Sequence, residues 1–270
     1  MRTGFIGLGN IGAPMAHRVA AASDCAVRDI SPAAMAGFSE VARLAATPAD
    51  VGRHAEIVGI CVRDGDQVRA TIAGPAGLLE GLASEAIILI HSTVAPALVH
   101  EMAELAAPHG VHVLDAGVTG GAAVASRGEL CTMVGGDADL VERARPMLAS
   151  FSSRIIHAGS LGAGLALKIC NNLITYLQVA AFHEAIELAA AYGVDQETLT
   201  EVMIQNGNLT PALRMYGKSL ANRQADNQPL HAAALAEKDL DLVVDLGRAA
   251  SVPTPVSAHA RGLMRRAFAG

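Results

Sequence analysis

A short apolar run, Thr3-Gly4-Phe5-Ile6, passes directly into Gly7-Leu8-Gly9-Asn10-Ile11-Gly12, and a helical pattern opens at once with Ala13-Pro14-Met15. That order leaves the backbone one simple solution: a strand, a tight turn and a helix packed back on the strand. Gly7 permits the turn, Gly12 allows the close packing, and Gly9 keeps the backbone bare so that a phosphate can approach. The helix start, reached through Asn10 and Ile11, offers free N–H groups to that phosphate. The next strand pattern ends in Val27-Arg28-Asp29-Ile30, with Asp29 22 residues beyond Gly7. A carboxylate there accepts the ribose hydroxyls of NAD and repels a 2′-phosphate, while the adjacent Arg28 leaves NADP open. Gly7, Gly9, Asn10, Ile11, Gly12 and Asp29 are therefore the expected dinucleotide-binding residues, and NAD the preferred cofactor.

Further apolar runs at 25–29, 57–62, 86–90, 111–115, 131–134 and 154–157 read as strands, with helical stretches such as 13–22, 66–73, 96–107 and 140–150 between most of them. This alternation predicts a mainly parallel sheet covered by helices, a Rossmann-type doubly wound domain over residues 1–160. After residue 160 the strand patterns stop. Residues 165–192 read as one long helix, apolar on most sides, which belongs between domains or subunits. Helical patterns follow at 196–206, 211–221, 230–250 and 255–267, punctuated by Gly193, Gly207 and Pro253. The expected fold class is α/β, with the doubly wound domain followed by an all-helical C-terminal domain over 161–270. That second domain opens with the long interdomain helix and serves substrate binding and oligomerisation.

Half of the chain is hydrophobic, yet aromatics make up 3% and tryptophan is absent, so alanine and small aliphatics must do the packing. That favours helices and close contacts between elements. The net charge is -6 and the basic residues are scattered, which gives no electrostatic footprint for nucleic acid. Cys25, Cys61, Cys131 and Cys170 are far apart, lie in apolar surroundings and show no metal-ligand spacing. They read as buried thiols in a reducing cytoplasm, and no metal is expected. No apolar run is read as reaching the length of a membrane span, and glycines with Pro14 interrupt the stretch that resembles a signal peptide. A cytoplasmic protein with no membrane partner is expected.

The most chemically suggestive stretch is Gly162-Ala163-Gly164-Leu165-Ala166-Leu167-Lys168-Ile169-Cys170-Asn171-Asn172. On a helix, positions 164, 168, 171, 172 and 175 share one face, which gathers glycine, lysine, two asparagines and a threonine in an otherwise apolar segment. A lysine among Leu165, Leu167 and Ile169 is costly to bury unless it has partners or a task. Taken by itself, the helix fits a surface lysine equally well.

Four ordered stretches together resemble the β-hydroxyacid dehydrogenases, a family that includes 3-hydroxyisobutyrate dehydrogenase and tartronate semialdehyde reductase and is related to 6-phosphogluconate dehydrogenase. The stretch 5–15, FIGLGNIGAPM, is similar to the family's opening cofactor motif. DAGVTGG at 115–121 resembles its substrate loop, usually DAPVSGG. The 162–172 segment resembles its catalytic helix, GxGxxxKxxNN, and Lys238-Asp239-Leu240 its late KDL motif. The resemblance implies Lys168 as catalytic acid/base, with Asn172 holding the substrate or the lysine. It implies Thr119, Gly120, Gly121 and Asn171 at a small carboxylate substrate. Val62 and Arg63, in the loop after the fourth strand, would touch the cofactor, Thr93 the nicotinamide ribose, and Lys238 would close over the nicotinamide side.

Those roles are chemically coherent. Reducing an aldehyde needs hydride at carbon and a proton at oxygen, and a lysine serves if desolvation or a nearby cation such as Lys238 brings its pKa toward neutrality. Two glycines after a hydroxyl expose N–H donors and make an anion cradle. Asp115 reads as a strand-end residue binding local backbone and receives no catalytic role. Gly117 replaces the family's usual proline, which suggests a more mobile loop, and Thr119 replaces the usual serine. Arg63, His91, Leu230 and His231 also depart from common residues and leave the substrate open. The expected activity is hydride transfer between NAD(P) and a small 3-hydroxy acid or its semialdehyde, in a homodimer or homotetramer. Two alternatives stand beside it. Imine reductases share the architecture but typically lack the lysine, and a non-catalytic dinucleotide sensor belongs to a different class.

Overall fold

The structure, a computed structural model, describes residues 1–221 and 229–269; the side chains of 219, 221, 229–231 and 269 lie outside the described residues, and with them the departures at Leu230 and His231. The chain divides into two compact units, Met1–Lys168 and Ile169–Gly270.

The first unit is built on an eight-stranded sheet. Its strands are β1 (Arg2–Ile6), β2 (Asp24–Arg28), β3 (Arg43–Leu44), β4 (Ile57–Ile60), β5 (Ile87–Ile90), β6 (His112–Thr119), β7 (Leu130–Gly135) and β8 (Ser152–Gly159). Their spatial order is β3-β2-β1-β4-β5-β6-β7-β8, so the order reverses between β1 and β4, the crevice where open α/β sheets bind ligands. The helices are α1 (Gly12–Ala22), α2 (Pro32–Ala36), α3 (Pro48–His54), α4 (Gly65–Ala73), α5 (Pro96–Ala106), α6 (Ala122–Ser126) and α7 (Ala138–Phe151). Strand residues alternate between two apolar layers: Leu89 and Leu114 join Met15, Val19, Met147 and Phe151, while Ile88 and Ile90 join Val68, Ile72, Val99 and Met102. Both sheet faces are thus buried, as a parallel sheet requires.

Two features of this unit differ from the sequence reading. The two-residue β3 and the short α2, α3 and α6 have too few residues to show a period. More importantly, β6 does not stop at Asp115. Ile6 stands opposite Ile60, Ile60 opposite Ile90 and Ile90 opposite Asp115, which marks a common carboxyl edge. β6 runs on beyond that edge to Thr119, paired antiparallel with β7 from Asp115↔Gly135 to Thr119↔Cys131. Gly117 is therefore a ladder residue opposite Met133, not part of a mobile loop.

α8 (Ala163–Ala191) is a single helix that starts in the first unit and continues into the second. The second unit adds α9 (Gln196–Gln205), α10 (Pro211–Ala221), α11 (Pro229–Ala249) and α12 (Pro255–Ala269). One apolar cluster joins Ile169 and Ala180 of α8 to Leu240, Val243 and Met264, and another joins Val179 and Phe182 to Leu213 and Tyr216. α8 is long and apolar enough to cross a membrane, with a hydropathy of 1.3, which corrects the reading that no segment reaches that length. Its polar residues interrupt every apolar run, so counting runs missed it. The cysteines also divide differently: Cys25 is buried, Cys61 and Cys131 are half-buried, and Cys170 is exposed on α8.

Candidate active site

At the carboxyl edge of β1, Gly7 adopts φ +95° and donates its N–H to the Arg28 carbonyl at 3.0 Å. A Cβ on Gly7 would run into the Cys61 carbonyl, and one on Gly12 into the Gly7 carbonyl, so the chain's own packing demands both glycines. A Cβ on Gly9 meets nothing within 4 Å. Its bareness serves no protein contact and matches a backbone that a phosphate approaches. α3, α4 and α7 begin on side-chain caps from Thr47, Asp64 and Asp137, whereas α1 begins at Ile11 with no side-chain cap. Its first-turn amides suit an anion. Asp29 accepts from Leu8 N at 2.6 Å and Ser31 N at 2.7 Å, bracing the glycine turn. Arg28 turns toward α2, with Nη1 3.3 Å from Met35 Sδ. These donors and acceptors fit a dinucleotide.

The neighbouring loops of this edge are tied together. Val62 N donates to Ser92 Oγ at 2.9 Å, linking the loop after β4 to the one after β5. Arg63 is exposed and pairs with Asp64 at 3.2 Å, and Thr93 lies half-buried next to Ser92. His91 is 2% exposed, with Nδ1 2.7 Å from the Ala116 carbonyl and its ring stacked on Phe5. Burial pushes its pKa down to about 4, so it is a neutral core residue.

β6 brings the substrate segment and the lysine together. Beyond Gly117 it leads into Thr119, Gly120 and Gly121, the last two at φ +136° and +82°. A Cβ built on Gly121 meets nothing within 4 Å, so the space on that side of its backbone is clear. On the adjacent stretch of β6, a Cβ on Gly117 would meet Lys168 Cβ at 2.8 Å and Cγ at 3.1 Å, so the stem of Lys168 lies directly on the strand. Asp115 has a role that the local reading missed. It is fully buried and accepts from Gly162 N at 2.7 Å and Leu165 N at 2.6 Å, capping the start of α8 from 47 and 50 residues away. Burial raises its pKa, a shift that those backbone N–H groups only partly offset.

In the helical unit, two of the predicted residues, Asn172 and Lys238, converge on one carboxylate. Asp239 is 3% exposed and accepts from Asn172 Nδ2 at 2.8 Å and from the Tyr176 hydroxyl at 3.1 Å. Lys238 Nζ lies 2.8 Å from the other oxygen. Burial, and then the charge of Asp239, hold the Tyr176 hydroxyl well above the usual tyrosine range. The Asn172 amide is thus committed to Asp239. Lys238 pairs with Asp239 within its own unit. Asn171 is half-buried, and its carbonyl accepts from Thr175 Oγ1 at 3.0 Å. Asp239 and Tyr176 were not singled out from the sequence; the signal for Asp239 was its place beside Lys238 in the KDL segment.

A doubly wound sheet with this glycine turn, an acid after β2 and a lysine on a following helix defines an NAD(P)-binding oxidoreductase. Residues 2–159 match the family model described as the NAD binding domain of 6-phosphogluconate dehydrogenase. Residues 162–270 match the one described as the NAD-binding domain of NADP-dependent 3-hydroxyisobutyrate dehydrogenase. Over 266 residues the chain is 36% identical to 3-hydroxyisobutyrate dehydrogenase of Pseudomonas aeruginosa, covering 96% of this chain and 89% of that protein. It is 33% identical over 268 residues to the NAD-dependent L-serine dehydrogenase of the same organism, covering 97% and 90%. The solved Mycobacterium tuberculosis 3-hydroxyisobutyrate dehydrogenase with L-serine superposes with a TM-score of 0.85 at 29% identity, over 98% of this chain and 92% of that one. The chain belongs to the β-hydroxyacid dehydrogenase family and is an NAD(P)-dependent hydroxyacid dehydrogenase.

Proposed function

We propose that the protein interconverts a short 3-hydroxy acid and its semialdehyde, with NAD as the preferred cofactor and Lys168 as the acid/base. The observation that carries this reading is the seat of Lys168, its stem against Gly117 on the part of β6 that extends past the carboxyl edge and leads into Thr119-Gly120-Gly121. Bound nicotinamide supplies or accepts the hydride. Lys168 takes the hydroxyl proton during oxidation and returns it to the carbonyl oxygen during reduction, and its ammonium form meets the charge developing on that oxygen. The Thr119 hydroxyl and the N–H groups of Gly120 and Gly121 hold the substrate carboxylate. By the family's pattern, Asn171 and Asn172 would serve the substrate, and Val62, Arg63, Thr93 and Lys238 the cofactor. L-serine and 3-hydroxyisobutyrate, which name the relatives above, are both 3-hydroxy acids small enough for such a cradle. The extra methyl of Thr119, relative to serine, favours the smaller members of the class.

The working form is a cytoplasmic homodimer or homotetramer. Ile174, Leu188 and Tyr192 of the α8 region are 59%, 65% and 83% exposed, a large apolar surface for one chain to leave in water. Sedimentation showing only monomer at micromolar concentration overturns the assembly. The activity is tested by following nicotinamide absorbance with a panel of 3-hydroxy acids and semialdehydes. Lys168→Met is expected to lower kcat by roughly 10²–10⁴-fold with NAD affinity retained. A Lys168→Met enzyme as fast as wild type removes the lysine from the chemistry, and tight NAD binding without turnover on any panel member assigns a sensor instead.

A further inference from the structure

The start of α8 is seated on β6 through a matched spacing. Leu114, Ala116 and Val118 point into one apolar layer; Val113 points into the other, the layer that also holds Leu165 of α8. Asp115 and Gly117 share that second side. Asp115 takes the N–H groups of Gly162 and Leu165, and two residues on, Gly117 meets the Lys168 stem. Two strand residues advance about 6.6 Å, and the four residues from Gly164 to Lys168 advance about 6 Å. The strand therefore measures one helical turn from the cap to the lysine. The seam is also tight: a Cβ on Gly164 would meet the Met133 carbonyl oxygen at 2.5 Å and Gly135 N at 2.7 Å.

We propose that Asp115 and Gly117 are positioning residues for Lys168, a reading that rests on the acid/base role of that lysine. Asp115 fixes the axial position and rotation of the first turn of α8. Gly117 sets how closely the lysine stem approaches β6. A methyl at 117 forces the Lys168 Cβ outward by about 1 Å to reach ordinary contact distance. The helix cannot back away as a body without stretching the two Asp115 hydrogen bonds. Gly117 lies in the strand and outside the left-handed region, so alanine there brings a close contact and no backbone strain. A displacement of that size at a proton-transfer group lowers turnover by roughly 10–100-fold.

The test is a double-mutant cycle on the full-length protein. Gly117→Ala and Lys168→Met are made singly and together, with single-turnover hydride transfer, KM, NAD affinity and thermal melting measured for each. Gly117→Ala is expected to lower kcat by about 10–100-fold, to leave NAD affinity within about threefold, and to add nothing in the Lys168→Met background. An equal loss in both backgrounds, or a Gly117→Ala enzyme with wild-type kcat, overturns the proposal. Full turnover by Lys168→Met alone instead overturns the lysine reading, which separates the two failures. If Gly117→Ala does not fold, single-turnover hydride transfer in Asp115→Asn, alone and combined with Lys168→Met, decides. A loss that disappears in the Lys168→Met background supports positioning, and an equal loss in both backgrounds overturns it.

Discussion

Replacing Asp239 by alanine should destabilise the helical unit far more than an ordinary surface change. The carboxylate is 3% exposed and satisfies the Asn172 amide at 2.8 Å and the Tyr176 hydroxyl at 3.1 Å. Removing it leaves two donors without their acceptor, at about 1–3 kcal/mol each where burial is complete. Lys238 is 30% exposed, so the lost ion pair adds little. Tyr176 is only half-buried, which trims its share, and the total comes to roughly 2–4 kcal/mol. For a protein of this size that lowers the melting temperature by roughly 5–15 °C. Tyr176→Phe removes one donor and leaves the carboxylate with Asn172 and Lys238, so it should cost only about 0.5–1.5 kcal/mol. Calorimetry and urea titration of the two variants read the ordering directly. If Asp239→Ala melts within about 1 °C of wild type, or if Tyr176→Phe costs as much as Asp239→Ala, the carboxylate is not the hub described above.

The glycine turn separates folding from binding. Gly9→Ala should melt like wild type yet weaken NAD binding by at least about tenfold, whereas Gly12→Ala should lower stability because its methyl has no space; thermal melts with fluorescence titration of NAD check both. Asp29→Ala removes the acceptor for Leu8 N and Ser31 N and the group that repels a 2′-phosphate, so NAD affinity should fall and the ratio of NADP to NAD affinity should rise. His91 governs an acid limb of stability. Its pKa is about 4 in the folded chain against 6.5 unfolded, so between these values the unfolded chain binds the extra proton and stability falls as pH falls. The loss begins near 6.5, is complete below about 4 and reaches roughly 3 kcal/mol; a His91→Phe variant should show a flatter urea midpoint across that window.

The doubly wound half was legible because its physics is local. The glycine turn imposes a backbone path on its own residues, and each long crossover helix or buried strand carries its period within itself. What escaped depended on partners distant in sequence. β6 was cut short at Asp115 because Gly117, Gly120 and Gly121 read as loop, while the antiparallel partner that holds Gly117 in register is β7, which follows only after α6. Asp115 was read as local for the same reason, since its donors come from the start of α8. Lys238 was noticed as a charge, but the convergence of Asn172 and Tyr176 on Asp239 requires two helices to meet, which no spacing in one segment reveals. The membrane-length character of α8 was missed because its polar residues break each apolar run while the average stays high.

The seam between β6, β7 and α8 also bears on how this scaffold can be re-engineered. Randomising 135 or 164 would mostly yield misassembled chains, because any larger group there meets main chain or a buried carboxylate. Thr119 is different: it ends the strand and is half-buried. New substrate scope should therefore be sought at the rim of the cradle, with the small-residue joint kept invariant in every library.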